Sequence, residues 1–152
     1  MSFRQKQVDI YNSDILKKED LFEKEERSAD EIREDISKRT PILTGMILKG
    51  KAIEALVEAL INPPYGDVDD AKKQHMDTIF EILSSIKPNE ISNVVETLST
   101  EQQDVLMKYL YKGFTDPKSY NPAILLNWHE KLVKAAGHGC IVRSALTDMR
   151  VV

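Results

Sequence analysis

A glycine-rich segment offers the most specific chemical pattern in this chain. Gly45, Gly50 and Lys51 have the G-x-x-x-x-G-K spacing of a phosphate-binding loop. Ala52 follows the lysine, so the hydroxyl that such a loop uses to hold Mg²⁺ is missing. The four residues between the glycines, Met-Ile-Leu-Lys, favour a helix rather than a turn. We therefore interpret Gly50 as a joint between two helices and predict no nucleotide site.

The three histidines do not form a metal-binding pattern. His75, His129 and His138 lack the i, i+4 spacing of helical metal ligands, and no cysteine cluster accompanies them. The sequence Trp128-His129-Glu130 could suggest an acid–base pair, but adjacent residues on a helix point in different directions. We predict that Trp128 faces the core and that its two neighbours face water or a partner.

The single cysteine, Cys140, cannot form an internal disulfide, which is typical of a cytosolic or nuclear protein. Pairing it with His138 as a catalytic nucleophile would also require an oxyanion hole and an orienting carboxylate. The sequence supplies neither in a recognisable pattern, so we predict a small buried cysteine. The resulting expectation is no catalytic residue, no metal and no cofactor.

The composition restricts the classes of partner. The chain has 152 residues, of which 41% are hydrophobic and 30% charged, and its net charge is -4. A nucleic-acid-binding protein would need a basic face, and attachment to acidic lipid by charge alone would also need cations. The polar start leads into no apolar segment of the kind found in secretory signals, and residues 42–48 and 52–61 are too short or too charged to cross a bilayer. We expect a protein without nucleic-acid, membrane or small-molecule ligands.

The chain divides into two regions at about residue 28. Residues 1–28 are rich in Lys, Asp and Glu, and their apolar residues follow no sustained period. Such a segment buries too little apolar surface to order alone. It is either a solvated tail or an arm whose scattered aromatic residues order on a partner. Residues 29–152 are predicted to form the helical domain.

Apolar residues at helical spacing predict the helices of this domain. One stripe precedes the stop signal Asn62-Pro63-Pro64, Ser99 and Gln102 have capping-box spacing, and Asn121-Pro122 opens another helix. The predicted stripes are Ile53, Leu56, Val57, Leu60 and Ile61; Met76, Ile79, Phe80, Leu83 and Ile86; Leu125, Trp128, Leu132 and Ala135; and Ile141, Val142, Ala145, Leu146 and Met149. The fold class is all-α, with about six or seven short antiparallel helices in a bundle or superhelix of helix hairpins.

The segment Leu106–Phe114 concentrates apolar side chains on one predicted helix, which Gly113 would end. On a helical wheel one face carries Val105, Leu106, Tyr109 and Leu110, and the adjacent face carries Met107, Tyr111 and Phe114. A helix that is apolar around most of its circumference is not an ordinary surface helix. It is either central and packed on both sides, or it packs inward on one face and meets a partner protein with the other.

Several strings resemble one known family, subunit 5 of the actin-related protein 2/3 complex. They are LMKYLYKGF (106–114), LLNWHEKLVKAAGHGCIVR (125–143), AIEALVEALINPP (52–64) and KPNEI (87–91). Phe3, Arg4, Val8, Asp9 and Tyr11 also match the family pattern F-R-x-x-x-V-D-x-Y. The segment between Asn12 and Thr40 departs from the family, because it mixes Lys and Arg with acidic residues.

The resemblance implies an α-α superhelix without catalytic activity, in an assembly that nucleates branched actin filaments. It implies that the helical body contacts subunit 4 and the β-propeller subunit 1, and that the arm contacts actin-related protein 2 through its five matching residues. A cytoplasmic location at the cortical actin cytoskeleton would follow. On the body, we select Tyr111, Phe114 and His129 as candidate partner-binding residues. The alternative is a free-standing helical adaptor that uses the same surfaces for other partners.

Overall fold

The computed structural model describes residues 25–147 and 150–152, which fold into helices joined by short turns. The helices are α1 (Ala29–Leu48), α2 (Ala52–Ala59), α3 (Asp69–Ser85), α4 (Ile91–Thr97), α5 (Thr100–Phe114), α6 (Pro122–Ala136) and α7 (Gly139–Val142), and a π-helical turn follows at Arg143–Thr147. The described residues contain no strand. The all-α prediction is confirmed.

Local signals set the starts of α5 and α6 as predicted. The Ser99 hydroxyl accepts from the Gln102 amide at 3.2 Å, and the Gln102 side chain accepts from the Ser99 amide at 3.0 Å. At α6, the Asn121 side chain accepts from the Ala123 amide at 3.0 Å, and Pro122 fills the first helical position. These bonds satisfy amides that have no partner within the helix.

Helix α1, for which the sequence patterns predicted no bounds, is the longest of the helices named above, and it runs through Pro41. It begins with a second capping box, in which Ser28 and Glu31 exchange hydrogen bonds. Pro41 cannot donate to the carbonyl of Ser37, but both residues are exposed. Water can therefore reach that carbonyl, which lowers the cost of proline inside the helix.

Two groups of helices share the main core. Helices α1, α2 and α3 pack on one another, α4 and α5 pack on α6, and α3 joins the groups through contacts with α5 and α6. Trp128 of α6 is fully buried, and its indole N–H donates to the Leu83 carbonyl at 3.2 Å. The predicted inward position of Trp128 is thus confirmed. A separate small cluster joins α1 to the start of α3 through Ile32, Ile36, Val68 and Ala71.

The buried face of α2 is rotated from the predicted stripe. Ile53 and Ile61 are each 42% exposed, whereas Ala55 and Ala59 are fully buried. The short alanine side chains allow the neighbouring helices α1 and α3 to approach closely. The predicted stripe is correct for Leu56 and Leu60, which are buried, and wrong for Ile53 and Ile61, because hydrophobicity alone does not show this close packing.

The predicted C-terminal stripe does not form one buried face. Helix α7 ends at Val142, and the π-helical turn that follows changes the angular spacing of the side chains. Val142, Ala145 and Leu146 are exposed, and Met149 lies outside the described residues. The prediction of one continuous amphipathic helix was wrong because it assumed a constant period of 3.6 residues.

Gly113 has a different role from the predicted helix end. It lies inside α5 and is buried. A Cβ at this position would come within 2.7 Å of Leu125 Cδ1 and 3.0 Å of Met76 Cε. The glycine therefore permits close approach of α5 to α6 and α3, whereas Thr115 is the residue that caps α5.

A candidate partner-binding surface

Most of the apolar surface of α5 faces the core. Leu106, Met107, Tyr109 and Leu110 are all fully buried. Met107 lies on the second face of the wheel but is buried like the residues of the first, because α5 packs on α3, α6 and α7. Part of the proposed second face still reaches solvent.

That accessible part is an aromatic cluster formed by Tyr111, Phe114 and His129. Ring centroids lie 6.2 Å apart for Tyr111–Phe114, 5.7 Å for Tyr111–His129 and 6.1 Å for Phe114–His129, all in edge-on arrangements. The Tyr111 hydroxyl lies 3.4 Å from His129 Nε2. Tyr111 is 41% exposed, and the other two side chains are partly buried. The fold thus brings together the three body residues selected from the sequence.

Other large apolar side chains reach the surface on the same molecule. They are Ile42 and Leu48 of α1, Ile53 of α2, Ile61 just after α2, Leu126 of α6, Val142 of α7, and Leu146 and Val151 near the C-terminus. Leu48, at 84%, and Leu146, at 68%, are the most exposed of these. Single exposed apolar side chains are ordinary on protein surfaces, so their number alone does not indicate an interface.

The histidine on α3 is buried and has a structural environment. His75 Nδ1 lies 2.7 Å from the Tyr109 hydroxyl, and His75 is 1% exposed. Its Nε2 makes no well-formed hydrogen bond, although the Ala59 backbone is near enough to affect the ring. Burial and, to a smaller extent, the positive charge of Arg39 lower the pKa of His75 to about 4, although the Ala59 backbone acts in the opposite direction. His75 is therefore neutral near pH 7 and braces α3 against α5.

Cys140 is buried as predicted, and its thiol lies 3.5 Å from the Gln103 carbonyl. Burial raises the pKa of this thiol to about 12, and the neighbouring Asp104 carboxylate acts in the same direction. The thiolate is the reactive form of cysteine, so this environment suppresses nucleophilic chemistry. His138 is exposed at the start of α7.

The residues that resembled a phosphate-binding loop occupy a helix joint. Gly45 lies inside α1, and Gly50 has a φ of 75° in the turn between α1 and α2. Lys51 Nζ pairs with the Glu54 carboxylate at 2.9 Å. The interpretation of Gly50 as a joint is confirmed. Across residues 25–147 and 150–152, no group of three His, Cys, Asp or Glu residues could hold a metal ion.

Two arginines that the sequence analysis did not select hold the end of α2. The Arg39 guanidinium donates to the carbonyls of Ile61 at 2.8 Å and Asn62 at 3.3 Å, and Arg27 donates to the Pro63 carbonyl at 2.9 Å. Helix α2 ends at Ala59, so no amide of a continuing helix reaches these carbonyls. That lack of amides was a visible signal that donors must come from elsewhere in the chain.

A family model described as the ARP2/3 complex 16 kDa subunit (p16-Arc) matches residues 2–152. The chain belongs to this family. The resemblance found in the sequence strings is confirmed by a match over nearly the whole chain.

Relatives in this family span distant organisms. Actin-related protein 2/3 complex subunit 5-B of Xenopus laevis is 35% identical over 153 residues, covering 99% of this chain and 94% of the relative. The human subunit 5-like protein is 34% identical over 144 residues, covering 94% and 92%. Subunit 5 of Dictyostelium discoideum is 36% identical over 118 residues, covering 77% and 84%.

The p16-Arc match extends over both predicted regions of the chain. It includes the five arm residues Phe3, Arg4, Val8, Asp9 and Tyr11, which lie outside the described residues. It also includes the aromatic cluster on α5 and α6. None of the helices in the described ranges is long and apolar enough to cross a membrane.

Proposed function

We propose that this chain is a non-catalytic structural subunit of an actin-related protein 2/3 complex, the assembly that nucleates branched actin filaments. The observation that carries this proposal is the p16-Arc match over residues 2–152, which includes the arm as well as the body. The protein would act in the cytoplasm, at the cortical actin cytoskeleton. It would act through surfaces, without a cofactor or a small-molecule ligand.

The helical body provides the docking surface in this proposal. Tyr111, Phe114 and His129 form a half-exposed aromatic cluster, and aromatic residues are enriched at the centres of protein interfaces. Helices α1 and α2 also expose aliphatic side chains, Ile42, Leu48 and Ile53. The family resemblance suggests subunit 4 and the β-propeller subunit 1 as the partners of these surfaces.

The arm provides a tether to actin-related protein 2. Phe3, Arg4, Val8, Asp9 and Tyr11 would supply its contacts. Once the body has docked, the covalent connection keeps the arm close to its target, so even a weak contact is occupied at a high effective concentration. A separation between arm and body is supported by Arg27, which attaches the segment just before α1 to the body.

Purification of the tagged full-length chain from its native cells tests the proposal. Size-exclusion chromatography should place the protein far above its own 17.3 kDa, and mass spectrometry should identify stoichiometric actin-related subunits. A protein that elutes as a free monomer, or with unrelated partners, would instead support a helical adaptor and would reject the proposal.

Deletion of residues 1–24 separates the two proposed parts. The truncated chain should still co-purify with the complex, because the body carries docking, while filament nucleation or branch stability falls. A matched variant that replaces only Phe3 and Tyr11 by Ala should lower activity in the same direction. Loss of co-purification in the truncated chain would show that the arm, rather than the body, drives assembly.

A further inference from the structure

Tyr65 lies at a point where both ends of the described chain meet. It is 6% exposed and follows Pro63-Pro64 in the connection between α2 and α3. The Arg150 guanidinium carbon lies 4.1 Å from the centre of the Tyr65 ring, and Lys108 Nζ lies 5.0 Å from the same centre. Both distances are within the range of a cation–π interaction.

The C-terminal residues are fastened at this position by more than the ring contact. Lys108 Nζ donates to the Arg150 carbonyl at 3.1 Å, and its distance to the Tyr65 hydroxyl is 3.5 Å. Val152 is 2% exposed and belongs to the main core. Residues 150–152 therefore pack against Tyr65 on the side where α5 lies.

The segment that leads into the arm is fastened from the other side. We define the arm root as residues 25–28. Arg27 donates to the Pro63 carbonyl, two residues before Tyr65, and forms a bidentate ion pair with Glu25 at 2.8 and 3.1 Å. With side-chain exposures of 31% for Arg27 and 17% for Glu25, this pair lies partly against the body.

The charges of Glu25 and Arg150 connect the arm root to the C-terminal residues. The hydrogen bond from Arg27 is the main cause that lowers the pKa of the Glu25 carboxyl, and the positive charge of Arg150 adds to it. Glu25, Arg27, Tyr65, Lys108 and Arg150 all line one groove of about 810 Å³. The positive charges of Arg27 and Arg150 repel each other, so the carboxylate of Glu25, which both cations attract, is the group that links the arm root to the C-terminal residues.

We propose that residues 150–152 hold the arm root in place on the body, with Tyr65 as the positioning residue between them. We call this arrangement the lock. Docking of Arg150 on Tyr65 fixes where the arm leaves the body, and docking of Arg27 stabilises the C-terminal residues in return. The lock itself is independent of any partner. Its consequence, control of the direction in which the tether extends, rests on the proposed function.

Reciprocity gives the decisive test, because coupling between two sites must act equally in both directions. In the full-length chain, Arg150→Ala should raise the rate of tryptic cleavage after Arg27 by about two- to fivefold, the range expected for loss of a cation–π contact. Arg27→Met should raise amide hydrogen exchange at residues 150–152 by a similar factor. Arg33→Ala is the matched control, since it removes two exposed ion pairs, to Asp30 and Asp70, from α1, the helix that follows the arm root.

Two further variants separate a lock from simple destabilisation. Arg150→Lys retains the cation and should restore much of the protection of the arm root, and Tyr65→Ala should abolish the effect of Arg150→Ala. The proposal is overturned if Arg150→Ala loosens only the C-terminal residues, or if all variants lower the melting temperature alike without a local change. Since these measurements use the free chain, they stand apart from co-purification with other subunits, which tests the proposed function.

Discussion

Two pairs of a tyrosine and a histidine, built around the same helix, have opposite environments. Tyr109 of α5 meets His75 inside the core, where both residues are at most 1% exposed. Tyr111, two positions further along α5, meets His129 at the surface and is 41% exposed. The inner hydroxyl–nitrogen distance is 2.7 Å and the outer one is 3.4 Å.

The difference shows that residue type does not decide the role of an aromatic cluster. In the inner pair, burial lowers the pKa of His75 and raises that of Tyr109, so both groups stay neutral and contribute to packing. The outer pair keeps access to solvent and has an adjacent ring, Phe114, that widens its apolar area. The inner cluster is suited to holding the fold, and the outer one to meeting a partner.

Truncation of the inner face should have the largest effect. Leu106 is fully buried beside this pair, so Leu106→Ala should lower the free energy of unfolding by about 2–5 kcal/mol. That is a large share of the roughly 5–15 kcal/mol typical of a domain. Chemical denaturation of the isolated chain measures it. Leu126→Ala, at a position 58% exposed, is the control and should change stability far less; equal losses in the two variants would contradict the packing described.

Acidification should weaken the inner cluster next. The pKa of His75 is about 4 in the folded chain against an ordinary 6.5, so the unfolded chain binds more protons between these values. The contribution of His75 to the free energy of unfolding is therefore fully present above about pH 6.5. It is lost as the pH decreases towards 4, by a total on the order of 3 kcal/mol. Denaturation curves at several pH values measure this slope.

A substitution isolates the histidine from carboxylates that titrate in the same range. His75→Gln should be less stable at neutral pH, because it disturbs the contact with Tyr109, yet it should flatten the decline between pH 6.5 and 4. His129→Gln, in the outer pair, should retain that decline. If His75→Gln keeps the full slope, the acid sensitivity comes from other groups.

Features encoded by neighbouring residues were predictable from the sequence. The caps at Ser99 and Asn121 and the joint at Gly50 depend on contacts within a few residues, and all three were recognised. The aromatic cluster was also within reach, because Tyr111 and Phe114 are three residues apart on one helix.

Features that depend on distant packing were not predictable in this way. The burial of Met107 follows from how α5 sits among its neighbours, and the pairing of His75 with Tyr109 joins positions 34 residues apart. Likewise, Ile53 is exposed and Ala55 is buried, the reverse of what their hydrophobicity predicts, because close helix contact favours a small side chain. A wheel shows which side of a helix is apolar, but not which neighbour covers it.

Removal of the outer rings should separate folding from assembly. Tyr111→Ala should lower the melting temperature of the isolated chain only slightly, and Phe114→Ala somewhat more, since Phe114 also packs against the core. If the outer cluster meets a partner, each should weaken co-purification with the other subunits by an interface hot-spot amount, on the order of 2 kcal/mol or more. Variants as unstable as Leu106→Ala would show that both faces of α5 serve the fold.

The smallest expected effect distinguishes the ring of Tyr111 from its hydroxyl. The contact with His129 Nε2 at 3.4 Å is long and exposed, so water can replace it. Tyr111→Phe should therefore change the stability of the isolated chain by less than about 0.5 kcal/mol. It should also preserve co-purification if the aromatic ring supplies the interface energy, whereas Tyr111→Ala should lose it. A loss as large as that of Tyr111→Ala would mean that the hydroxyl itself is hydrogen-bonded to a partner. The outer cluster would then meet its partner through a polar contact. It would resemble the inner pair in making a hydrogen bond rather than in the packing of its rings.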